Sequence, residues 1–159
     1  IRDSFWSMGS LTRANWAANG VLAAVLIIAL PILWALGWRL TALRLGDARA
    51  TAMGVNTSRL RIVVLIVVSL VAATTVAFAG IIGFIGLVGP HIARMLVGED
   101  QRYFLPASMA AGAAVMCAAH AVSLMIKPGL AIPIGIVTSL LGVPFFIAIV
   151  MTRRRALWT

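Results

Sequence analysis

Charged side chains divide this chain into four long uncharged stretches, and the lengths of those stretches restrict what it can become. Twenty-five residues separate Arg13 from Arg39, 32 separate Arg61 from Arg94, 24 separate Arg102 from Lys127, and 25 separate Lys127 from Arg153. About 20 apolar residues cross a bilayer as a helix, so the first, third and fourth stretches each predict one span. The second is too long for one span, since 32 residues at about 1.5 Å each extend roughly 48 Å. With 62% of residues hydrophobic, 11% charged and a mean hydropathy of +1.07, a soluble domain is excluded.

The number of crossings follows from the cations. Arg39, Arg44, Arg49, Arg59 and Arg61 make the segment after the first span basic, and Arg153, Arg154 and Arg155 do the same at the C-terminus. Cytoplasmic loops carry an excess of Lys and Arg, so both segments are expected on the cytoplasmic side. An even number of crossings must then lie between them, and the long stretch must cross twice, turning near residues 79–83. The expected architecture is an all-α, polytopic transmembrane helix bundle in a single domain, 1–159. Its spans are at about 16–38, 60–79, 83–97, 105–125 and 132–152, with a cytoplasmic loop at 39–59. Arg94 and Arg102 join the cytoplasmic set, and Arg2, Arg13 and Lys127 fall outside. The rival arrangement, a re-entrant second limb, would leave the basic tail on the wrong side.

The turn coincides with an unusual run. Gly80, Gly83, Gly86 and Gly89 recur every third residue and are followed by Pro90 and His91. An interior Gly costs a helix about 1 kcal/mol and an interior Pro about 3. Close backbone packing inside a membrane offsets such costs, so these six residues are read as a helix break and packing site. His91 is the most deeply placed ionisable group, which makes it a functional candidate. The competing role is a neutral ring that bonds a neighbouring carbonyl and pins the Gly-Pro break. Gly135 and Ser139 suggest a second small-residue face. Pro31 and Pro144 are expected to kink their spans, and Trp16, Trp34, Trp38 and Trp158 suit membrane interfaces. The single cysteine, Cys117, is expected to be a small buried apolar residue.

Several function classes are disfavoured. The basic residues are scattered rather than interleaved with aromatics in a stripe, which argues against nucleic acid. His91 and His120 are 29 residues apart with no HExxH pairing, and Asp3, Asp47, Glu99 and Asp100 all fall outside the spans, so neither a metal site nor a catalytic residue is assigned. A membrane-embedded enzyme using His91 or His120 would need a polar cavity and a nearby acid. A scaffold that only assembles partners is a further alternative. The polar, Ala-rich segment 43–54 is either a solvated loop or a docking element. Asp47 could cap a short helix there, and a second short helix could follow Gly54, begun by Asn56, Thr57 or Ser58.

Four segments together resemble the FecCD family, the permease subunits of ABC importers for iron–siderophore, haem and vitamin B12. They are WSMGSL (6–11), LGDARATAMGV (45–55), GFIGLVGPHIARMLVGEDQRYFLPAS (83–108) and PIGIVTSLLGVPFF (133–146). The resemblance implies the C-terminal half, spans six to ten, of a ten-span permease. The N-terminal half is missing, and the start at Ile1 rather than Met fits a fragment.

The same resemblance implies the roles. The 44–59 loop would form the coupling helices that dock on cytoplasmic ATP-binding subunits, with Leu45, Gly46, Asp47, Ala50, Met53 and Gly54 matching the family pattern. The other implied partners are an extracytoplasmic substrate-binding protein, a second copy of the permease or a homologue, and the lipid bilayer. No cofactor would be bound directly, since ATP is used by the partner. The location would be the bacterial plasma membrane, with a cytoplasmic C-terminus and import by alternating access. Departures occur where many relatives carry an Asp and an Arg late in span nine and an acid before span ten. Those places hold His120, Leu124 and Ala131 here, which leaves Lys127 as a possible contact for the binding protein. The SLMIKPG segment (123–129) is closer to the iron-complex members than to the vitamin B12 members.

Overall fold

In the computed structural model, which describes residue 9 and residues 15–126 and 132–156, seven helices follow one another. They are α1 (Trp16–Ala35), α2 (Gly37–Arg44), α3 (Asp47–Ala52), α4 (Thr57–Ala79), α5 (Ile85–Val97), α6 (Gln101–Ile126) and α7 (Ile134–Ala156). Among the described residues, four helical stretches are long and apolar enough to cross a membrane: Trp16–Ala35, Thr57–Ala79, Gln101–Ile126 and Ile134–Thr152. Lys127 and Ala131 lie outside the described residues, as does the WSMGSL segment apart from Gly9.

The stretch 16–38, read above as one span, is not one helix. It breaks at Leu36, where α2 begins on its own register. Asn15 starts α1 by accepting the Ala17 N–H at 2.7 Å.

The uncharged stretch 62–93 goes out and returns. α4 holds 23 residues, about 35 Å of helix, whereas α5 holds only 13, about 20 Å. The five residues between them, 80–84, are not helical. They carry the rest of the depth, so the return limb is part helix and part irregular chain. It starts its helix at Ile85, two residues later than the span boundary expected from sequence.

Contacts give the direction of each helix. Gly89 approaches Ser108 and Gly112, Gly112 approaches Ile85, and the Arg94 guanidinium sits over the Phe104 ring at 5.9 Å. α5 and α6 are therefore antiparallel, and this is the most extensive helix pairing among the described residues. Along α7, Ser139 lies by Gly83, Gly142 by Phe84 and Phe145 by His91, so α7 runs parallel to α5. α4 packs on α1 and leaves most of its apolar surface uncovered. The buried residues are mostly small, Ala29, Ala93, Ala119, Ser123 and Thr138 among them, as expected where helices meet by close approach in an apolar solvent. Cys117 does not belong to that set. It is exposed on α6, because a membrane helix can carry apolar residues on all its faces.

Candidate functional site

The segment from Leu36 to Val64 folds as a unit with its own apolar centre. Ala42, Ala50, Val55 and Leu60 are buried together, with Leu36, Leu40, Leu43 and Val64 packed around them. Ala50 is fully buried. A loosely solvated loop would have no such centre.

Local chemistry sets each turn of this unit. Gly46 has φ 104° and Gly54 has φ 81°, values that residues with a Cβ adopt only at a cost. The end of α3 is a Schellman motif. The Val55 N–H donates to the Ala50 carbonyl at 3.0 Å and the Gly54 N–H to the Thr51 carbonyl at 3.0 Å, while Val55 and Ala50 touch in the apolar centre. Asn56 then caps α4, its Oδ1 accepting the Arg59 N–H at 3.0 Å.

Two details differ from the sequence expectation. Asp47 does not cap α3, because Gly46 occupies the cap position and Asp47 is the first helical residue. Its carboxylate instead accepts from Arg61 at 2.8 Å, tying α3 to α4. The helix after Gly54 is not a separate short one. It continues without interruption as α4, because no residue between Thr57 and Ala79 breaks it. The second short helix of the unit is α2, on the other side of α3.

The six matching loop residues therefore divide by environment. Ala50 is interior, Gly46 and Gly54 shape the chain, and Asp47 is ion-paired. Leu45 and Met53 remain, with 54% and 53% of their surface exposed. They are apolar side chains held outward by a rigid unit.

The same end of the bundle carries the α5–α6 turn, which the sequence reading left without a role. Arg44 pairs with the Glu99 carboxylate at 3.0 Å and also donates to the Glu99 carbonyl at 3.1 Å. Arg94 lies 3.6 Å from the same carboxylate. The Gln101 N–H donates to Thr41 Oγ1 at 3.1 Å, and the Asp100 Oδ1 accepts the Arg102 N–H at 3.1 Å at the start of α6. The signal in the sequence was the pair Glu99–Asp100, two of only four acids in the chain, set close to Arg94 and Arg102.

The glycine run at the far end separates into different roles. Gly80 ends α4 with φ 75°. Gly83 has ordinary space around it, with Ser139 Oγ 3.7 Å from where a Cβ would sit. Gly86 faces nothing within 4 Å, whereas a Cβ at Gly89 would lie 3.2 Å from Gly112 Cα and from the Ser108 carbonyl oxygen. The helix runs through Pro90 and His91 without a break, so the interruption lies earlier, at 80–84. The His91 ring meets Phe145 edge-on at 5.5 Å. Its surrounding cavity, of about 200 Å³, is lined by Phe84, Leu87, Phe145, Phe146 and Ile149, with Arg94 rather than an acid at its edge. His120 carries a buried Nδ1 with no hydrogen-bond partner among the described residues. No group of three or more metal-ligating side chains occurs among the described residues.

A model of the FecCD transport family matches residues 3–152. A Fe(3+)-citrate import system permease protein of Bacillus subtilis is 40% identical over 150 residues, covering 94% of this chain and 45% of that protein. A hemin transport system permease protein of Yersinia pestis is 38% identical over 152 residues, covering 95% of this chain and 45% of that protein. A solved structure described as an inward-facing conformation of a metal-chelate type ABC transporter superposes with a TM-score of 0.87 at 36% identity. It covers 93% of this chain and 49% of that one. The chain thus spans a little under half the length of the proteins it matches.

Proposed function

Because this chain belongs to the FecCD transport family, we propose that it forms the C-terminal half of the membrane permease of an ATP-driven importer for a metal chelate. A ferric siderophore is the preferred substrate, with haem or vitamin B12 as the alternative. The relatives named for Fe(3+)-citrate and for hemin support the metal-chelate class at nearly equal identity, so the choice within it rests on the SLMIKPG segment alone.

The observation that carries this reading is the closed unit 36–64, which presents Leu45 and Met53 outward from a buried centre. A surface of that kind suits a cytoplasmic ATP-binding subunit. Hydrolysis takes place in that partner, and a displacement of the rigid unit then moves the spans between outward- and inward-open arrangements. A binding protein delivers substrate on the opposite side of the plasma membrane, and a second permease copy completes the pathway. The basic surroundings of the unit, including Arg39, Arg49 and Arg59, favour its cytoplasmic placement, and with it that of the C-terminal end of α7.

The test is the pair Leu45→Arg and Met53→Arg in the full transporter. Both side chains are exposed, so the permease should fold and insert normally while co-purifying much less ATP-binding subunit. Normal co-purification together with normal uptake would refute the docking role.

A further inference from the structure

We infer that α2 is the strut that carries movement of the 36–64 unit to the α5–α6–α7 block, and that Thr41 and the Arg44–Glu99 pair are its joint. The inference rests on the coupling role proposed for that unit.

α2 has two working faces. Leu36, Leu40 and Leu43, spaced four and three residues apart, pack into the apolar centre beside Ala42. Gly37, Thr41 and Arg44 have the same spacing and lie about 100° further round the helix. Each of these three meets the α5–α6 turn. A Cβ at Gly37 would lie 3.1 Å from Arg102 Cγ and 3.4 Å from Arg102 Cα, so α2 and the start of α6 are in close contact there. Thr41 accepts the Gln101 N–H, and its hydroxyl lies 3.4 Å from Asp100 Oδ1. Arg44 holds Glu99 through both side chain and backbone.

Among the described residues the only direct packing of the unit on this block is that of α2 on α6; the other path is indirect, through α1, which packs on α4 and less extensively on α6. Among the described residues, α3 packs on α2 and α4, and α4 packs on α1, α2 and α3. α2, in contrast, packs on α6, and α6 packs on both α5 and α7. Movement passes between distant sites through rigid elements and the bonds that join them. The direct path for a push on Leu45 and Met53 to Gly89, Phe84 and Gly142 is therefore by way of α2 and α6.

The joint is suited to transmission rather than to holding the fold. Arg44 and Glu99 have 33% and 62% of their side-chain surface exposed, and exposed pairs contribute little to stability. Their removal should leave the folded permease intact while loosening what α2 can pull.

The experiment uses the full transporter with its ATP-binding subunits and binding protein in vesicles. Three variants are compared: Thr41→Val, the double variant Arg44→Ala with Glu99→Ala, and Thr41→Ser. Substrate imported per ATP hydrolysed should fall by about five-fold or more in the first two, the lower end of ordinary coupling between sites. Co-purification of the ATP-binding subunit should stay at the wild-type level, and Thr41→Ser, which keeps the hydroxyl, should transport normally. Loss of ATP-binding subunit from these variants would overturn the inference, since the joint would then only hold the docking unit in shape. An unchanged import-to-hydrolysis ratio in both would overturn it as well. Failure of the docking reading itself would be seen separately, as normal subunit association together with normal uptake in the Leu45 and Met53 variants.

Discussion

Phe84 and Gly142 claim the same space: a Cβ placed on Gly142 would overlap the Cβ and ring of Phe84. Phe84 is also the only described non-glycine residue with positive φ, at 64°. The backbone twist that starts α5 is thus maintained by seating the ring on a bare stretch of α7. Gly142→Ala should destabilise the permease by about 1–3 kcal/mol, the usual cost of overpacking. Thermal melting in detergent measures it, and Phe84→Gly in the same background should recover part of the loss by removing both the overlap and the strain. A Gly142→Ala protein melting with the wild type would show that the two helices are not so closely joined.

Gly86 and Gly89 should respond in opposite ways although both lie in α5. Gly86 faces open space, so Gly86→Ala should raise stability by up to about 1 kcal/mol through helix propensity. Gly89 meets backbone atoms of α6, which cannot move aside as a side-chain tip can, so Gly89→Leu should separate α5 from α6 and lower the melting temperature sharply. Equal effects at the two positions would contradict the packing described.

Gly9 sits against the non-helical segment that links α4 to α5. It has φ 67°, and a Cβ there would lie 2.8 Å from the Ile81 carbonyl oxygen and 3.0 Å from Ile82 Cγ1. Irregular backbone at membrane depth persists only where protein or water covers it, and Gly9 supplies cover at this point. Gly9→Leu should therefore expose 80–84 to limited proteolysis or hydrogen exchange, while exchange in the 36–64 unit stays unchanged. Protection at 80–84 equal to wild type would remove Gly9 from this role.

Asp47 and Gly54 match the family pattern side by side but should differ in weight. The Asp47–Arg61 pair is 2.8 Å long yet more than half exposed at both ends, so Asp47→Ala should cost under about 1 kcal/mol. Gly54→Val forces a β-branched residue to φ 81° and breaks the Schellman turn that seats Val55 on Ala50, so it should cost about 1–3 kcal/mol. Unfolding curves of the two variants make the comparison, and a larger loss for Asp47→Ala would reverse the ranking.

The path of the chain can be tested by labelling. In a cysteine-free full permease, Ser58→Cys and Val97→Cys should react with an impermeant maleimide from one side of the membrane, and Ile126→Cys, at the far end of α6, from the other. All three are exposed, so reactivity reports sidedness. Reaction of Val97→Cys from the side opposite Ser58→Cys would mean that α5 does not return across the bilayer.

Much of this was legible from sequence because the relevant physics is local. Arg61 and Arg94 bound a stretch too long for one crossing, and the structure brings both to the end of the bundle where Glu99 and Asp47 sit. The sequence places a helix start after Gly54 at Asn56, Thr57 or Ser58; Asn56 is the cap, although the helix it begins is the long α4 rather than a short one. The place of Asp47 was misjudged for a local reason as well. A cap residue and a first-turn acid carry the same sequence signal, and only the φ of Gly46 distinguishes them. Cys117 was misjudged because apolar character marks the interior of a soluble protein but both faces of a membrane helix.

By itself, the sequence determined that this chain spans a membrane, that its long uncharged stretch must double back, and that a polar, basic segment separates the first two spans; that this segment is a closed unit rather than a solvated loop came from the structure. Hydropathy, charge spacing and capping residues act within a few turns of one helix, so they can be read in order along the chain. The tertiary structure alone decided which glycine is tight and which is idle, that Phe84 rests on Gly142, and that Gly37, Thr41 and Arg44 form one face directed at Glu99–Arg102. Those relations join residues about 55 to 65 positions apart, except for the nearer α5–α6 contacts. They depend on the rotation and depth at which two helices meet, which no local property of either helix specifies.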